Sequence, residues 1–332
     1  MAAIGVVVAL VVAALMPAVS APVAEAIPGG APLYAADGGG VAGNLYEINR
    51  LTGAVIRTIG PIGYSITGLA YNPVNRVLYG WTGNNDPVAV SKLVVINTTT
   101  GAGTLVAPGS PAGGLADISF RADGVLFGWS ESGDDLHVVN LVTGVTTKVG
   151  ESGLNTFGSG LAFNGAGVLY YAGHGEAGAL RTVNTGTGLT SVVATLNGDA
   201  GLGRAIAALD FYIDGTLYGV RRNFGDPTTD LIRINPTTGA ITTVGVLPIG
   251  IDAISFGCAD IGSLGCALPP PSACPTGTVY SPIAKKCIKE PGVINRTPAA
   301  TAALPLVAAL PVTPPTPAVA ARRTRDRRLA RV

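Results

Sequence analysis

The chain has 332 residues, 12% of them charged and 48% hydrophobic, with 47 glycines, 24 prolines and a net charge of +1. Low charge and abundant glycine exclude a long helical array and favour many short strands joined by Gly-rich turns. The small net charge hides a division: residues 27–257 hold 11 Lys/Arg against 16 Asp/Glu, whereas the last eleven residues hold six arginines and one acid, Asp326.

In chain order, residues 1–26 come first as an expected signal peptide. Ile4 to Met16 is an unbroken apolar run, too short to span a bilayer comfortably, and Ala24-Glu25-Ala26 places small residues where signal peptidase cleaves, although no Lys or Arg precedes the run. Export to the cell envelope or beyond is the expected localisation.

From residue 33 a pattern repeats. Strand-like segments end in Asn and are followed four residues later by Gly: Asn49/Gly53, Asn97/Gly101, Asn140/Gly144, Asn184/Gly188 and Asn235/Gly239. The glycines are 48, 43, 44 and 51 residues apart, a period typical of propeller blades. Within each period four segments align. The first ends in an aromatic, as in Ile66–Tyr71, Leu115–Phe120, Gly158–Phe163, Ile206–Phe211 and Ile251–Phe256. The second reads Leu-aromatic-small, as in Leu78-Tyr79-Gly80 and Leu126-Phe127-Gly128; the third ends in the Asn, and the fourth is rich in Thr and Val. Each is short, β-branched or aromatic, and bounded by turn residues. The Asn is expected to cap its turn and the Gly to supply a positive φ.

Residues 66–245 hold four complete four-strand units. Before them, Leu33–Ala35, Leu45–Asn49 and Val55–Ile59 lack a first strand, and after them Ile251–Phe256 is a first strand without the rest. The fragments complement each other, so the sequence predicts an all-β, five-bladed propeller over residues 27–257, closed by one blade of mixed N- and C-terminal origin. First strands line the axis. Their third and fifth positions are small or acidic, which lets five sheets crowd together, and Trp81 and Trp129 are expected to pack between blades.

Leu45-Tyr46-Glu47-Ile48-Asn49, Leu51-Thr52-Gly53, Thr67-Gly68-Leu69-Ala70-Tyr71-Asn72-Pro73 and Leu78-Tyr79-Gly80 resemble the blades of a broad class of secreted bacterial propeller domains of unassigned function. The resemblance runs from about Leu33 to Phe256 and implies a fold, not a chemistry.

Residues 258–296 carry all four cysteines, Cys258, Cys266, Cys274 and Cys287, without a C-x-x-C zinc knuckle. Disulfides in an oxidising compartment are expected. Spacing leaves the pairing open; Cys258–Cys266 with Cys274–Cys287 is the most economical. Cys274-Pro275-Thr276-Gly277-Thr278 is similar to a run in invertebrate chitin-binding modules, but the further cysteines and aromatics of those modules are missing, so a stapled cap is expected. Residues 297–332 read as a disordered Pro/Ala-rich linker with a basic end, suited to an anionic polymer or lipid. No aromatic interleaves with the arginines, so specific nucleic-acid reading is not expected.

Within the propeller there is no phosphate loop and no His-rich ligand cluster, and His137 and His174 read as ordinary residues. Two sets of acids remain. Asp117, Asp210 and Asp252 lie on first strands, at the radius where a glycosidase would need paired carboxylates. Asp37, Asp86, Asp134, Asp135, Glu176 and Asp226 fall between second and third strands, in loops expected to share one face. Asn84-Asn85-Asp86 and Asp134-Asp135 have the hard oxygens calcium prefers but fall short of a calcium loop, and no cofactor is expected. The sequence therefore favours a monomeric, secreted, non-catalytic propeller that binds an extracellular macromolecule or glycan through its long-loop face. The alternatives are a carbohydrate-active enzyme using the axial aspartates, and a structural envelope protein.

Overall fold

The computed structural model describes residues 30–258 apart from 41, 107–112, 175–177, 198–203 and 224–227, together with the backbone of a hairpin, β21 (Thr278–Ser281) and β22 (Lys286–Lys289). The expected signal peptide, Cys266, Cys274, Glu176, Asp226 and the basic tail lie outside the described residues.

The first blade contains β1 (Leu33–Asp37), β2 (Asn44–Ile48) and β3 (Val55–Pro61). The second runs through β4 (Ile66–Tyr71), β5 (Leu78–Thr82), β6 (Leu93–Ile96) and β7 (Gly103–Leu105). The third runs through β8 (Leu115–Phe120), β9 (Leu126–Ser130), β10 (Asp135–Val139) and β11 (Thr146–Glu151). The fourth comprises β12 (Phe157–Phe163), β13 (Leu169–His174), β14 (Ala179–Val183) and β15 (Thr190–Thr195). The fifth comprises β16 (Arg204–Phe211), β17 (Leu217–Asn223), β18 (Thr229–Ile234) and β19 (Ile241–Leu247), and β20 (Ile251–Phe256) returns to the first. Each sheet is a four-stranded antiparallel meander, except that the first has the order β20-β1-β2-β3. The ring therefore closes as the sequence predicts: Leu33 pairs with Phe256, Tyr34 with Ser255, Ala35 with Ile254 and Ala36 with Ala253. The inner strands β4, β8, β12, β16 and β20 touch in sequence and β20 touches β4, completing the circle.

Apolar residues gather between the blades. Five buried clusters each join one blade to the next, for example Trp81 and Tyr79 with Leu115 and Ile118, or Phe127 and Trp129 with Leu161 and Tyr171. The aromatics that end four of the inner strands pack on the second-strand aromatic of the preceding blade. Ring centroids are 5.4 Å apart for Phe120–Tyr79, 5.4 Å for Phe163–Phe127, 5.2 Å for Phe211–Tyr170 and 5.3 Å for Phe256–Tyr218. Trp129 lies 4.1 Å from Tyr171 of the next blade, and both tryptophans are fully buried, so their role is packing. Small residues at the axis are required by contact. A Cβ on Gly68 would lie 2.9 Å from the Ile118 nitrogen, and one on Gly160 would lie 2.6 Å from Leu209 Cγ.

The Asn-x-x-x-Gly turns have the expected geometry. In all five the Gly N–H donates to the Asn carbonyl at 2.8 Å. The Asn97 side chain accepts from the Thr99 and Thr100 amides at 2.8 and 3.0 Å, and Asn140 and Asn235 behave alike. These glycines also do something the sequence does not announce. Gly101 lies against Gly60 of the preceding blade, Gly188 against Gly150, Gly239 against Thr195, and Gly53 against Gly245, backbone on backbone.

A methyl group at Gly101 would collide with the Gly60 carbonyl, whereas Gly215, with φ +86°, has open space around it. Gly215→Ala should therefore cost only the left-handed backbone term, about 1 kcal/mol. Gly101→Ala, at φ +82°, should cost clearly more, about 3 kcal/mol. Urea unfolding of the two variants measures the difference, and equal losses would show that the blade contact carries no weight.

Candidate functional site

Inner strands expose one edge to the axis, and the N–H groups on that edge need acceptors. The axial aspartates supply them. Asp117 is fully buried; its Oδ2 accepts the Leu161 amide of the fourth blade at 2.9 Å and the Leu209 amide of the fifth at 3.1 Å, while its Oδ1 accepts the Ile118 amide at 2.8 Å. Asp210 accepts the Phe256 amide of the first blade at 2.7 Å and its own neighbour Phe211 at 2.8 Å. Ser119 and Ser255, one position from the strand end, accept the Phe163 and Tyr71 amides of the following blades at 3.0 Å each. The Thr67 hydroxyl donates to the Leu115 carbonyl at 2.9 Å, linking the second blade to the third. The channel is thus laced across at mid-height by side chain to backbone bonds.

Burial holds the Asp117 carboxyl well above the usual carboxylate range, against the pull of its three N–H donors. Two of the three acids at the enzymatic radius, Asp117 and Asp210, therefore have both oxygens engaged with backbone donors. Asp252 differs. It sits two residues into β20, at the long-loop end of the channel, and its Oδ1 accepts Arg222 Nη1 at 3.1 Å.

The acids expected to line the long-loop face turn inward. Asp86 is buried and takes the Ser65, Val88 and Ala89 amides on its two oxygens. Asp134, at φ 50°, accepts the Thr156 amide at 2.8 Å and the Thr156 hydroxyl. Asp135 pairs with Lys148 at 2.7 Å. Asp37 accepts the Asn44 amide at 2.9 Å and the Tyr46 hydroxyl at 3.2 Å. These carboxylates shape loops by accepting local donors, so a solvated acidic rim does not form at Asp86, Asp134 or Asp135. The same oxygens are those considered for calcium, and among the described residues no three His, Cys, Asp or Glu side chains converge as metal ligands.

A different set converges at the long-loop mouth. Asn84 Nδ2 donates to Glu131 Oε2 at 3.1 Å, and the Ser91 hydroxyl donates to Asn84 Oδ1 at 2.9 Å. Arg222 meets Asp252 across the first and fifth blades. The two pairs share a field: Arg222 pulls on the Glu131 carboxyl, and the Glu131 charge pushes on Asp252. Burial pushes Asp252 up to about 6, with Arg222 opposing and Glu131 adding, and burial likewise raises Glu131. Four blades thus deliver Asn84, Glu131, Arg222 and Asp252 to one mouth. A signal for this was present in the repeat. Five residues beyond the leucine of each second strand stand Gly38, Gly83, Glu131, His174 and Arg222, so this column holds two of the four mouth residues, Glu131 and Arg222, while Asn84 and Asp252 lie outside it.

No protein-family model matches the chain, and no curated protein matches it in sequence. Solved structures do. A chain from a nidogen/laminin complex superposes with a TM-score of 0.50 at 16% identity, covering 70% of this chain and 100% of that one. A protein of unknown function from Bacteroides thetaiotaomicron gives 0.44 at 15% identity over 57% of this chain and 53% of its own. Another from Bacteroides caccae gives 0.43 at 13% over 68% and 98%. At such identities the likeness to the first concerns fold alone.

Two predictions follow from these carboxyls. Asp117→Ala should destabilise the propeller by about 3 kcal/mol or more, because it strands buried N–H groups and opens a void. Asp117→Asn, which keeps one acceptor, should cost less; a fully stable Asp117→Ala protein would refute the lacing role. The second concerns pH. Asp252 binds its proton more tightly folded than unfolded, so its contribution is complete below the ordinary aspartate pKa and is lost as pH rises through about 6. His137, lowered by burial, contributes in the opposite sense. The measurement is accordingly a difference: the melting temperature of wild type minus that of Asp252→Asn should fall between pH 4 and pH 7, and a constant difference would contradict the shift.

Proposed function

We propose that this chain is a secreted, non-catalytic propeller that binds an extracellular macromolecule or surface glycan through its long-loop face. The observation that carries the reading is the convergence of Asn84, Glu131, Arg222 and Asp252 from four blades on one channel mouth. A guanidinium flanked by carboxylates, with an amide beside them, presents donors and acceptors at fixed spacing on rigid strand ends, which suits hydroxyl-rich or charged ligands. The engagement of Asp117 and Asp210 with backbone amides supports binding over hydrolysis at the axis.

Export rests on the apolar run and small-residue site of residues 1–26. It accords with the expected oxidation of Cys258, Cys266, Cys274 and Cys287. The arginine tail adds a second, salt-sensitive attachment to anionic polymer or lipid, since exposed charges are screened within about 8 Å at physiological salt.

A carbohydrate-active reading keeps one foothold, the Asp252–Glu131 pair, whose charges interact and whose protonation is raised. A polysaccharide and glycan binding array, run with a reducing-sugar assay on the same panel, separates the readings. Binding that weakens at least tenfold in Arg222→Ala and Glu131→Gln, without sugar release, is the expected result. Binding indifferent to both substitutions would remove the mouth from the function. Sugar release abolished by Asp252→Asn would establish the enzyme instead.

A further inference from the structure

The opposite, turn-face mouth opens into a cavity of about 130 Å³, space for roughly four water molecules at ~30 Å³ each. Two layers build it. The inner layer is Ala70, Ser119, Asp210 and Ser255, pointing in from successive blades; the outer is the ring of strand-ending aromatics that also pack between blades. Asp210 is the sole acid or base of ordinary aqueous range in this wall, since Tyr71 is the other titratable group that lines it. Asp117 lies deeper on the axis and is fully buried. Each Asp210 oxygen already accepts one backbone N–H and the Ser255 hydroxyl donates to the carboxyl as well; a carboxylate has about four acceptor positions in all, so capacity remains. The charges acting on Asp210 include no Lys or Arg among the described residues. A partly exposed carboxyl enclosed by aromatic rings and lacking a counter-ion is half of a recognition site for an organic cation.

We propose that the turn-face mouth binds a primary alkylammonium group, carried by a free amine or by a lysine side chain, with Asp210 as its counter-ion. The Ser119 and Ser255 hydroxyls provide further acceptors and the aromatic ring provides the wall. An ammonium has three donors and no acceptor, which matches a wall whose polar side chains are a carboxylate, two serine hydroxyls and the Tyr71 phenol. Other ligand classes fit less well. An anion would meet Asp210 with no cation to offset it. Calcium takes six to eight oxygens, usually from several carboxylates. This site lies at the other end of the channel from the long-loop mouth and is independent of the reading given for that face.

Burial pushes the Asp210 carboxyl up to about 7, so near neutrality a bound ammonium must displace a proton. Affinity should accordingly fall toward tenfold per pH unit below about 7, with Asp117 sealed beneath and Tyr71 the other titratable side chain of the wall. The experiment titrates the full chain with n-butylammonium chloride and with n-butanol, following chemical shifts or heat, at pH 6 and pH 8. Saturable butylammonium binding is expected, at least tenfold tighter than butanol, several-fold weaker at pH 6, and lost in Asp210→Asn. Ala70→Leu fills the cavity while leaving Asp210 and its amide partners in place, and should abolish binding as well. It decides the matter if Asp210→Asn fails to fold. A blocked Gly-Lys-Gly peptide identifies the source: binding at least as tight as the free amine assigns the site to lysine side chains, and weaker binding assigns it to small amines. Absence of saturation, equal affinity for butanol, unchanged binding in Ala70→Leu, or saturation by calcium chloride in place of the amine would each overturn the proposal.

Discussion

Five strand edges face one another around the axis of this protein, and no sixth strand is there to pair with them. The backbone donors on those edges must be met by side chains or water, and the solution found here governs much else. Asp117 reaches the next two blades, one of them across the axis, Asp210 reaches the closing strand, and Ser119 and Ser255 each reach one blade onward. Because acids and hydroxyls at the axis serve this purpose, the positions that look most like catalytic machinery are consumed by architecture. Of the two proposed ligand sites, one uses Asn84, Glu131, Arg222 and Asp252 outside the lacing, and the other the acceptor capacity that Asp210 keeps while taking part in it.

The same economy of space appears at the periphery. A blade interface here is an aromatic wedge near the turn face, a buried aliphatic cluster along its length, and a glycine contact where one blade's turn meets the preceding blade's outer strand. The glycine contact involves main chain on both sides, so it makes no demand on side-chain identity. At Gly53, Gly101, Gly188 and Gly239 it leaves no room for a side chain on the turn, with so little else held fixed around it.

Nearly all of the fold was legible in the sequence. The Asn-x-x-x-Gly period counted the blades, and the complementary fragments Leu33–Ala35 and Ile251–Phe256 announced the closure that the register confirms. Alternating small residues at Gly68 and Gly160 announced the crowded axis. The sites were much less legible, for a physical reason. A loop acid is equally compatible with facing water and with capping its own loop, and composition does not distinguish them. Asp86 and Asp134 turned inward because the nearby amides of Ser65, Ala89 and Thr156 had no other acceptor. Glu131 and Arg222 escaped notice because one directly follows β9 and the other lies within β17, more than 90 residues apart in the chain. They come to share one field only when the blades are aligned by column and both are placed at one opening.

The closing strand has a mechanical side. Leu33 lies opposite Phe256, and the Gly257 amide donates to the Pro32 carbonyl at 2.8 Å, so the chain enters and leaves the first blade at a single point. Tension between the two ends would load the β1–β20 ladder at that point and open it one bond after another, as a zipper opens, rather than shearing all its bonds together. The seam that ties the ring together against heat is therefore the place where it yields to pulling. A load borne between one end and the long-loop face would instead run through the stacked blades and spare the seam.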